Sequence, residues 1–282
     1  MYDTLISAST LYPHIDDPLW VIVDCRFSLS DPTQGKTLYQ HGHIANARYA
    51  NLETHLSSEI LPGCGRHPLP DNRVLSHQLG IWGISDQTQV VAYDDSHGSF
   101  AARLWWLLRW LGHEKVAVLD GGLQSWEKQY DLVTTLPQIT PQIFKPRVNN
   151  TLWLNASQVQ NAIAQKSICL IDARTSSRYH GESEPIDKVA GHIPSAFNRP
   201  FQLNLDSDGF FLSPEQLRKD FSILLGHFLP EHVVHYCGSG VTACHNVLAM
   251  TYAGLMLSKL YAGSWSEWIC NPNRTIVCTK KK

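Results

Sequence analysis

The sequence lacks the features of proteins that are stabilised by structural metal ions or disulfide bonds, and of proteins that span a membrane. Its seven cysteines are odd in number, and no two have the C-x-x-C spacing, so neither a zinc nor a disulfide framework is supported. The 14 histidines include no H-E-x-x-H pairing, and His41 and His43 have no visible third ligand. No run approaches the roughly 18 apolar residues that a transmembrane helix needs. We therefore expect no bound metal, no cofactor and no membrane partner.

Charged residues are also scarce. They make up 17% of the chain, and the net charge of −2 provides no basic field for nucleic acid. The first residues, Met1 to Thr4, lack the basic and apolar regions of a signal peptide, so we expect a cytoplasmic protein. The three terminal lysines, Lys280 to Lys282, are expected to form a solvated tail. With 43% hydrophobic residues, the 282-residue chain can fill the cores of two ordinary domains.

Four short segments of the first half recur in the second half, in the same order and at separations of about 145 residues. They are an apolar strand ending in Asp-x-Arg, a Gly-His-Ile-x-x-Ala segment, a β-branched strand, and a glycine followed by tryptophan. The matched pairs are 21–26 with 169–174, 42–47 with 191–196, 90–94 with 233–237, and 120–126 with 262–268. Since chance does not preserve order and spacing, the chain contains two copies of one domain.

Within each copy, short β-branched runs alternate with amphipathic stretches, which predicts an α/β fold with a parallel sheet flanked by helices. We predict an N-terminal domain at residues 1–135, a proline-spotted linker at 136–150 and a C-terminal domain at 151–282. In the second copy, Ser157 is the predicted N-cap of a helix, and Ser213 is the predicted N-cap of another, with proline at the first helical position.

Cys237 lies where a predicted strand, 233–236, passes through Gly-Ser-Gly into an apolar helix. The start of a helix leaves backbone N–H groups unpaired, and the glycines let residues 238–243 curl into an anion nest that favours a reactive thiolate. The alternative is a buried structural thiol, the common fate of free cysteine. The counterpart of Cys237 is Asp94, which is no sulfur nucleophile. We therefore predict that the second domain is catalytic and that the first is non-catalytic and walls the cleft.

Two kinds of enzyme place a cysteine in such a nest. Phosphatases of the C-x-x-x-x-x-R type add an arginine six residues later, but that position holds Ala243. Sulfurtransferases instead take a sulfane sulfur onto the thiolate and hold it as a persulfide, whose charge the nest stabilises. The loop favours this second chemistry.

The chain resembles tandem-domain proteins of the rhodanese family over essentially its whole length, and is most similar to 3-mercaptopyruvate and thiosulfate sulfurtransferases. The resemblance rests on the four repeated segments and on the run Cys237 to Thr242, which is similar to the loop of 3-mercaptopyruvate sulfurtransferases. Thiosulfate enzymes of animal type carry two basic residues after the cysteine, where this chain has Gly238 and Ser239. The loop residues Gly238, Gly240, Val241 and Thr242 are expected to bind the donor.

The resemblance also implies residues for donor binding and proton transfer. Arg178 resembles the family's substrate arginine and offers bidentate carboxylate recognition. A second arginine is expected after Glu-Pro, but Ile186 stands there, which leaves thiosulfate open as donor; Arg199 or Lys188 could substitute. Ser239 and His67 resemble the family's proton relay. The aspartate that assists this relay in the family aligns with Asn51 or near Glu53, which leaves the acid partner of His67 open.

The predicted activity is therefore cofactor-free sulfur transfer from 3-mercaptopyruvate to a thiol or cyanide through a Cys237 persulfide. Thiosulfate is the alternative donor, and a persulfide carrier that serves a protein partner is the alternative from another class. We expect structural roles for Asp24 and Asp172, each paired with the arginine two residues on, and core positions for His43 and His192.

Overall fold

The computed structural model describes residues 1–279 and divides them into two compact units. The first unit comprises residues 1–58, 69–149 and 207–210. The second unit comprises residues 59–68, 150–206 and the chain from 211 onward. The lysines predicted as a solvated tail, Lys280 to Lys282, lie outside the described residues. Residues 59–68 thus belong to the second unit although they lie in the middle of the first repeat.

The first unit contains a five-stranded parallel sheet with the strand order β1-β5-β4-β2-β3. Its strands are β1 (Leu5–Ile6), β2 (Trp20–Asp24), β3 (Arg48–Tyr49), β4 (Gln89–Tyr93) and β5 (Val116–Leu119). Its α-helices are α1 (Ala8–Leu11), α2 (Gln34–His41), α3 (Asn72–Ile81), α4 (Ala101–Trp110) and α5 (Gly122–Glu127). A 3₁₀ turn at Tyr12–His14 follows α1.

The second unit repeats this topology with the order β6-β10-β9-β7-β8, again fully parallel. Its strands are β6 (Trp153–Leu154), β7 (Cys169–Asp172), β8 (Phe197–Asn198), β9 (Val233–Tyr236) and β10 (Lys259–Tyr261). Its α-helices are α6 (Ala156–Ala164), α7 (Ser176–His180), α8 (Pro214–Leu225), α9 (Ala243–Tyr252) and α10 (Ser264–Trp268). The predicted fold class, two α/β domains each built on a parallel sheet flanked by helices, is confirmed.

The two sheets also share their register at the strand ends. Asp24 lies opposite Tyr93 in the first sheet, and Asp172 lies opposite Tyr236 in the second. Each tyrosine hydroxyl accepts a hydrogen bond at 3.2 Å from the backbone N–H of the isoleucine in the Gly-His-Ile segment. The internal duplication seen in the sequence is therefore a duplication of buried polar contacts as well as of strands.

The predicted Asp–Arg pairs at the ends of β2 and β7 are confirmed. Arg26 Nη2 donates to Asp24 at 2.6 Å, and Arg174 Nη2 donates to Asp172 at 2.7 Å. All four residues are buried, and each Nη2 also donates to a glycine carbonyl of the Gly-His-Ile segment at 2.7 Å. Burial favours loss of the Arg174 charge, but Asp172 outweighs it and raises the pKa of the guanidinium.

Of the two N-caps predicted in the second repeat, one is confirmed and one is wrong. Ser213 Oγ accepts from the backbone N–H of Gln216 at 3.2 Å, so it caps α8 as predicted. The prediction of Ser157 as a cap is wrong, because α6 begins two residues earlier and is capped by Asn155. Asn155 and Gln158 exchange side-chain-to-backbone hydrogen bonds, both at 2.9 Å, and this reciprocal capping box fixes the earlier start.

Each unit has its own apolar core. The first is built around Ile22, Val91 and Trp126, and the second around Leu170, Val234 and Trp265, all buried. The predicted core positions of His43 and His192 are confirmed, since they are 0% and 5% exposed. No helix within residues 1–279 has both the length and the apolar character needed to cross a bilayer.

The fully buried His235 in β9 makes stability sensitive to acid. Burial lowers the pKa of its imidazole to about 3, with a further contribution from Arg199. The unfolded chain protonates this group near its ordinary pKa of 6.5. The free energy of unfolding should therefore fall as the pH drops from about 6.5 towards 3, by up to about 1.4 kcal/mol per pH unit from this residue.

Replacing His235→Leu should remove that part of the pH dependence. Urea unfolding of both proteins at pH 7.5, 6 and 5 measures it, and the variant should gain stability relative to the parent as the pH falls. Equal pH slopes for the two proteins would show that His235 does not titrate in this way.

Candidate active site

The candidate nucleophile lies in the connection between β9 and α9. Strand β9 is buried between β7 and β10, and its carboxyl end leads directly into Cys237. Gly240 has a φ of +78°, and a Cβ there would lie 2.2 Å from the carbonyl oxygen of Ala262, so only glycine fits. This turn lets the Gly240 N–H donate to Cys237 Sγ at 3.2 Å. The cysteine, 2% exposed, thus faces a backbone donor of its own loop.

The start of α10 holds the cysteine loop in place. The backbone N–H of Trp265 donates to the Cys237 carbonyl at 3.0 Å, and that of Ser266 donates to the Gly238 carbonyl at 2.9 Å. Ser264 Oγ accepts from the Cys237 N–H at 3.1 Å and donates to the Tyr261 carbonyl at 2.9 Å. Three hydrogen bonds from α10 therefore fix the backbone at and beside the sulfur.

Sequence reasoning missed the role of Ser264. Its φ of +55° is in the left-handed region, where the first repeat has Gly122 with a φ of +60°. The alignment of the two repeats contained a signal, because it places Ser264 opposite Gly122. Glycine adopts a left-handed backbone conformation with less strain than serine does, so a serine at this position needs a reason. The Oγ contacts with Cys237 and Tyr261 give the physical reason for that exchange.

Val241 and Thr242 complete the turn into α9. Val241 is buried, and its carbonyl accepts from the Cys244 N–H at 3.1 Å. Thr242 occupies the N-cap position of α9, and its carbonyl accepts from the His245 N–H at 3.2 Å. These two predicted binding residues shape the first turn of the helix through their main chain.

The structure brings together Ser239 and His67, the two residues predicted as a relay. His67 Nδ1 lies 2.7 Å from Ser239 Oγ, and both residues are buried. The segment 59–68 that carries His67 packs within the second unit. The Arg66 N–H donates to Ser266 Oγ at 3.1 Å, which ties this segment to α10.

Asn51, at the place where the family's relay aspartate aligns, makes local contacts in the first unit. Asn51 Oδ1 accepts from the backbone N–H groups of Glu53 and Thr54 at 2.8 and 3.1 Å, which is an Asx-type turn. Asn51 Nδ2 donates to the Pro32 carbonyl at 3.3 Å. Asn51 thus fixes a turn of its own unit.

Arg178, the predicted donor-binding arginine, lies beside the cysteine loop. A Cβ built on Gly238 would lie 3.4 Å from its Nη2. The guanidinium is held by two carboxylates: its Nε donates to both oxygens of Glu184 at 3.0 Å, and its Nη2 donates to Asp187 Oδ2 at 3.1 Å. Arg174 Nη1 also donates to Glu184, at 3.2 Å. Arg178 is therefore oriented by the same network that ends strand β7.

Arg66 is a second arginine at this place, and sequence reasoning missed it. A Cβ on Gly238 would lie 2.8 Å from Arg66 Nη2, and Arg66 Nη1 donates to Asp187 Oδ1. Its only signal in the sequence was adjacency to His67, because the loop that it meets lies far along the chain.

The other cations considered for donor binding have different surroundings. Arg199 is buried, its guanidinium lies 4.3 Å from the ring centroid of Phe221, and its Nε donates to Asn204 at 3.1 Å. Lys188 and Ile186 are exposed, and the Ile186 N–H donates to Glu184 at 3.2 Å. Arg199 is thus committed to the core, whereas Arg66 lies beside Gly238 together with Arg178.

In the first unit, Asp94 occupies the position equivalent to Cys237. Its carboxylate accepts four hydrogen bonds at 2.8 Å from the backbone N–H groups of residues 96, 98, 100 and 101. Burial raises the pKa of Asp94, while these four hydrogen bonds oppose the rise. The first copy therefore keeps the nest but fills it with its own side chain.

The geometry and the sequence comparison agree on the family. The rhodanese-like domain model matches residues 7–129 and 155–270, one copy in each repeat. This chain belongs to the rhodanese family, and the predicted membership is confirmed.

Relatives of this chain are named as sulfurtransferases. It is 46% identical to a "probable 3-mercaptopyruvate sulfurtransferase" of Pseudomonas aeruginosa, over 96% of this chain and 97% of the relative. It is 34% identical to the thiosulfate sulfurtransferase of Rattus norvegicus, over 95% and 92% of the two chains. The solved 3-mercaptopyruvate sulfurtransferase of Leishmania major superimposes with a TM-score of 0.83 at 28% identity, covering 94% of this chain and 74% of that one.

Substituting Gly240→Ala should destabilise the cysteine loop. A side chain at a φ of +78° is strained, and its Cβ would press on Ala262, so the free energy of unfolding should fall by at least about 1–3 kcal/mol in urea titrations. Gly63→Ala is the matched control, because Gly63 has a φ of +84° but a Cβ there would meet nothing within 4 Å. Equal losses in the two variants would mean that backbone strain alone, and not the contact with Ala262, selects glycine at 240.

Proposed function

We propose that this protein is a sulfurtransferase that moves a sulfane sulfur from 3-mercaptopyruvate to a thiol or cyanide acceptor through a persulfide on Cys237. The observation that carries the proposal is the hydrogen bond from the Gly240 N–H to Cys237 Sγ, in a loop that three hydrogen bonds with α10 hold in place. Backbone donors at fixed positions stabilise negative charge on the inner and outer sulfur without reorganisation.

The transfer proceeds in two displacements. The Cys237 thiolate attacks the donor's sulfur; an S–S bond forms, the C–S bond breaks, and its electron pair stays on carbon as the pyruvate enolate. A proton then converts the enolate to pyruvate and leaves the persulfide on the enzyme. In the second step the acceptor attacks the outer sulfur, the S–S bond breaks, and the Cys237 thiolate is restored.

The contact between Ser239 and His67 supports a role for this pair in delivering the proton that the enolate needs. With 2.7 Å between Nδ1 and Oγ, the serine hydroxyl can pass a proton towards the loop while the imidazole exchanges one with it. Thiosulfate would release sulfite, which requires no proton on carbon. The pair therefore favours a carbon-based donor.

The preferred donor is 3-mercaptopyruvate, because Gly238 and Ser239 give the loop no cation of its own and Arg178 offers a guanidinium fork to the donor's carboxylate. The 46% identical relative from Pseudomonas carries that donor in its name. Thiosulfate is the second candidate. It is favoured by the additional guanidinium of Arg66 beside Gly238 and by the name of the Rattus relative.

We assign the nucleophile to the predicted domain at residues 151–282, joined by the linker 136–150 to a predicted non-catalytic domain at 1–135. The proposed relay residue His67 falls within 1–135 by sequence, but its segment 59–68 packs within the second unit. The Asp94 carboxylate in the first nest supports this assignment. A small thiol, cyanide or a protein can serve as acceptor, since each offers a nucleophile for the outer sulfur, and the cytoplasm stays the predicted compartment.

Steady-state turnover of 3-mercaptopyruvate and thiosulfate, with cyanide as acceptor, tests the proposal. The ratio kcat/KM should favour 3-mercaptopyruvate, and Cys237→Ser should lose at least about 10³-fold of either activity. Mass spectrometry after donor addition should show one added sulfur on the Cys237 peptide. Full activity in Cys237→Ser would remove the cysteine from the mechanism, and a persulfide without turnover would favour the carrier alternative.

If the proposed relay operates, substitutions in it should slow turnover of 3-mercaptopyruvate much more than turnover of thiosulfate. Ser239→Ala and His67→Gln should each lower kcat for 3-mercaptopyruvate by about 10²-fold and leave thiosulfate turnover within a few-fold of the parent. The double variant should be no slower than the slower single variant, since the two groups act as one unit. Equal losses with both donors would indicate that the pair only positions the loop.

A further inference from the structure

Two free cysteines that the proposed mechanism does not use, Cys64 and Cys270, contact each other in the second unit. Cys270 Sγ lies 3.8 Å from the carbonyl oxygen of Cys64, although the two residues are 206 positions apart in the sequence. Cys64 lies in the segment 59–68, and Cys270 lies two residues after the end of α10. The fold therefore brings two thiol groups together from distant parts of the chain.

The contacts around this pair show that the two stretches of chain run side by side. The Arg66 N–H donates to Ser266 Oγ at 3.1 Å, and Cys270 Sγ donates to the Ser266 carbonyl at 3.1 Å. Cys64 is two residues before Arg66, about 7 Å of extended chain. Cys270 is about one helical turn after Ser266, or about 5.4 Å along the axis. Both cysteines thus lie at a similar distance from the same anchor.

The two glycines beside Cys64 differ in the space around them. A Cβ on Gly65 would lie 2.5 Å from the Gly263 carbonyl oxygen, so the chain after Cys64 lies tightly against the start of α10. A Cβ on Gly63 would meet no atom of the described residues within 4 Å. A disulfide needs Cα atoms about 4.4–6.8 Å apart. The open side at Gly63 gives Cys64 room to reach that geometry while Gly65 keeps its place.

The exposure of the two thiols sets the order in which they react. Cys270 is exposed, whereas Cys64 is only partly exposed. A small oxidant therefore meets Cys270 first, and Cys64 is the neighbouring thiol that resolves the product.

We propose that Cys64 and Cys270 form a reversible intrachain disulfide, and that this bond locks the segment 59–68 against the end of α10. The oxidant is a small-molecule disulfide such as oxidised glutathione. The Cys270 thiolate attacks it, forms a mixed disulfide and releases one glutathione thiolate. The Cys64 thiolate then attacks the Cys270 sulfur and releases the second. Two protein thiols thereby lose two electrons and two protons, and one small disulfide becomes two thiols.

The segment that would be locked reaches the candidate active site. It carries His67, whose Nδ1 lies 2.7 Å from Ser239 Oγ. The start of α10 also holds the loop of Cys237, so the disulfide would join two elements that both contact this loop. In a reducing compartment such a bond is transient and responds to the redox state. The inference uses contacts of the second unit alone and does not rest on the proposed function.

Incubation of the full chain in glutathione buffers of increasing oxidised fraction tests the pairing. Peptide mapping by mass spectrometry without reduction should show a cross-linked pair of peptides containing Cys64 and Cys270, which dithiothreitol separates. Non-reducing electrophoresis should show that the cross-link lies within one chain. In Cys64→Ser, Cys270 should instead carry one glutathione. Separate glutathiones on the two cysteines of the parent, or two free thiols even in fully oxidised glutathione, overturn the inference.

Cys278 is the matched control, because it is also exposed and its Sγ also donates to a backbone carbonyl, that of His180 at 3.6 Å. It should carry glutathione as a mixed disulfide, and Cys278→Ser should leave the yield of the cross-link within about twofold of the parent. Cys237→Ser should give the same cross-link, which shows that the candidate nucleophile does not mediate it. A bond from Cys270 to Cys237 or Cys278 in place of Cys64 overturns the inference.

Limited proteolysis with endoproteinase Glu-C tests the lock. The exposed Glu59 lies in the segment, and the exposed Glu182 provides an internal reference in another loop of the same unit. Relative to cleavage after Glu182, cleavage after Glu59 should be at least about fivefold slower in the oxidised parent than in the reduced parent. Cys64→Ser taken through the same treatment should show no such change. An unchanged or faster cleavage after Glu59 in cross-linked protein overturns the lock.

Discussion

The buried ion pair between Asp172 and Arg174 is the contact on which the second unit depends. Arg174 donates to both oxygens of Asp172, to the Gly191 carbonyl and to Glu184, and its guanidinium lies 4.7 Å from the ring centroid of Trp265. It thereby connects the end of β7, the carboxylate that orients Arg178, and the helix that holds the cysteine loop. Removing one partner would leave a buried charge uncompensated, a loss of about 3–5 kcal/mol. Arg174 thus contributes both to the stability of the second unit and to the arrangement of the candidate active site.

The first unit has the same strand-end ion pair and the same kind of backbone nest, but a carboxylate occupies the nest. Asp24 and Arg26 repeat the strand-end pair, and Asp94 receives four backbone N–H groups where the second unit presents a cysteine. A buried nest of N–H groups without an acceptor lowers stability, because its donors have lost their hydrogen bonds to water and gained none in return. A carboxylate fixed to the chain satisfies these donors permanently. In the proposed reaction the sulfur of Cys237, in contrast, gains and loses a second sulfur while its own loop stays in place.

The fold could be predicted from the sequence because its signals are local and repeated. The strand-end Asp-x-Arg pairs and the Ser213 cap each act within a few residues of their position. The start of α6 was placed too late because Ser157 and Asn155 are both good caps, and only the reciprocal bond with Gln158 decides between them. Arg66 and Ser264 were missed for a different reason. Their importance arises from contacts made across the fold, and the His67–Ser239 contact beside them spans 172 residues of sequence.

The placement of residues 59–68 in the second unit has a consequence for how the duplicated chain can be divided. This segment belongs to the first repeat by sequence, yet it brings an imidazole and a guanidinium to the loop of the second. A fragment consisting of the later repeat alone would retain the sulfur and its backbone donors but lack both of these groups. The second unit therefore depends on a segment of the first repeat, and a cut between the two repeats would separate the candidate nucleophile from the imidazole that contacts its loop.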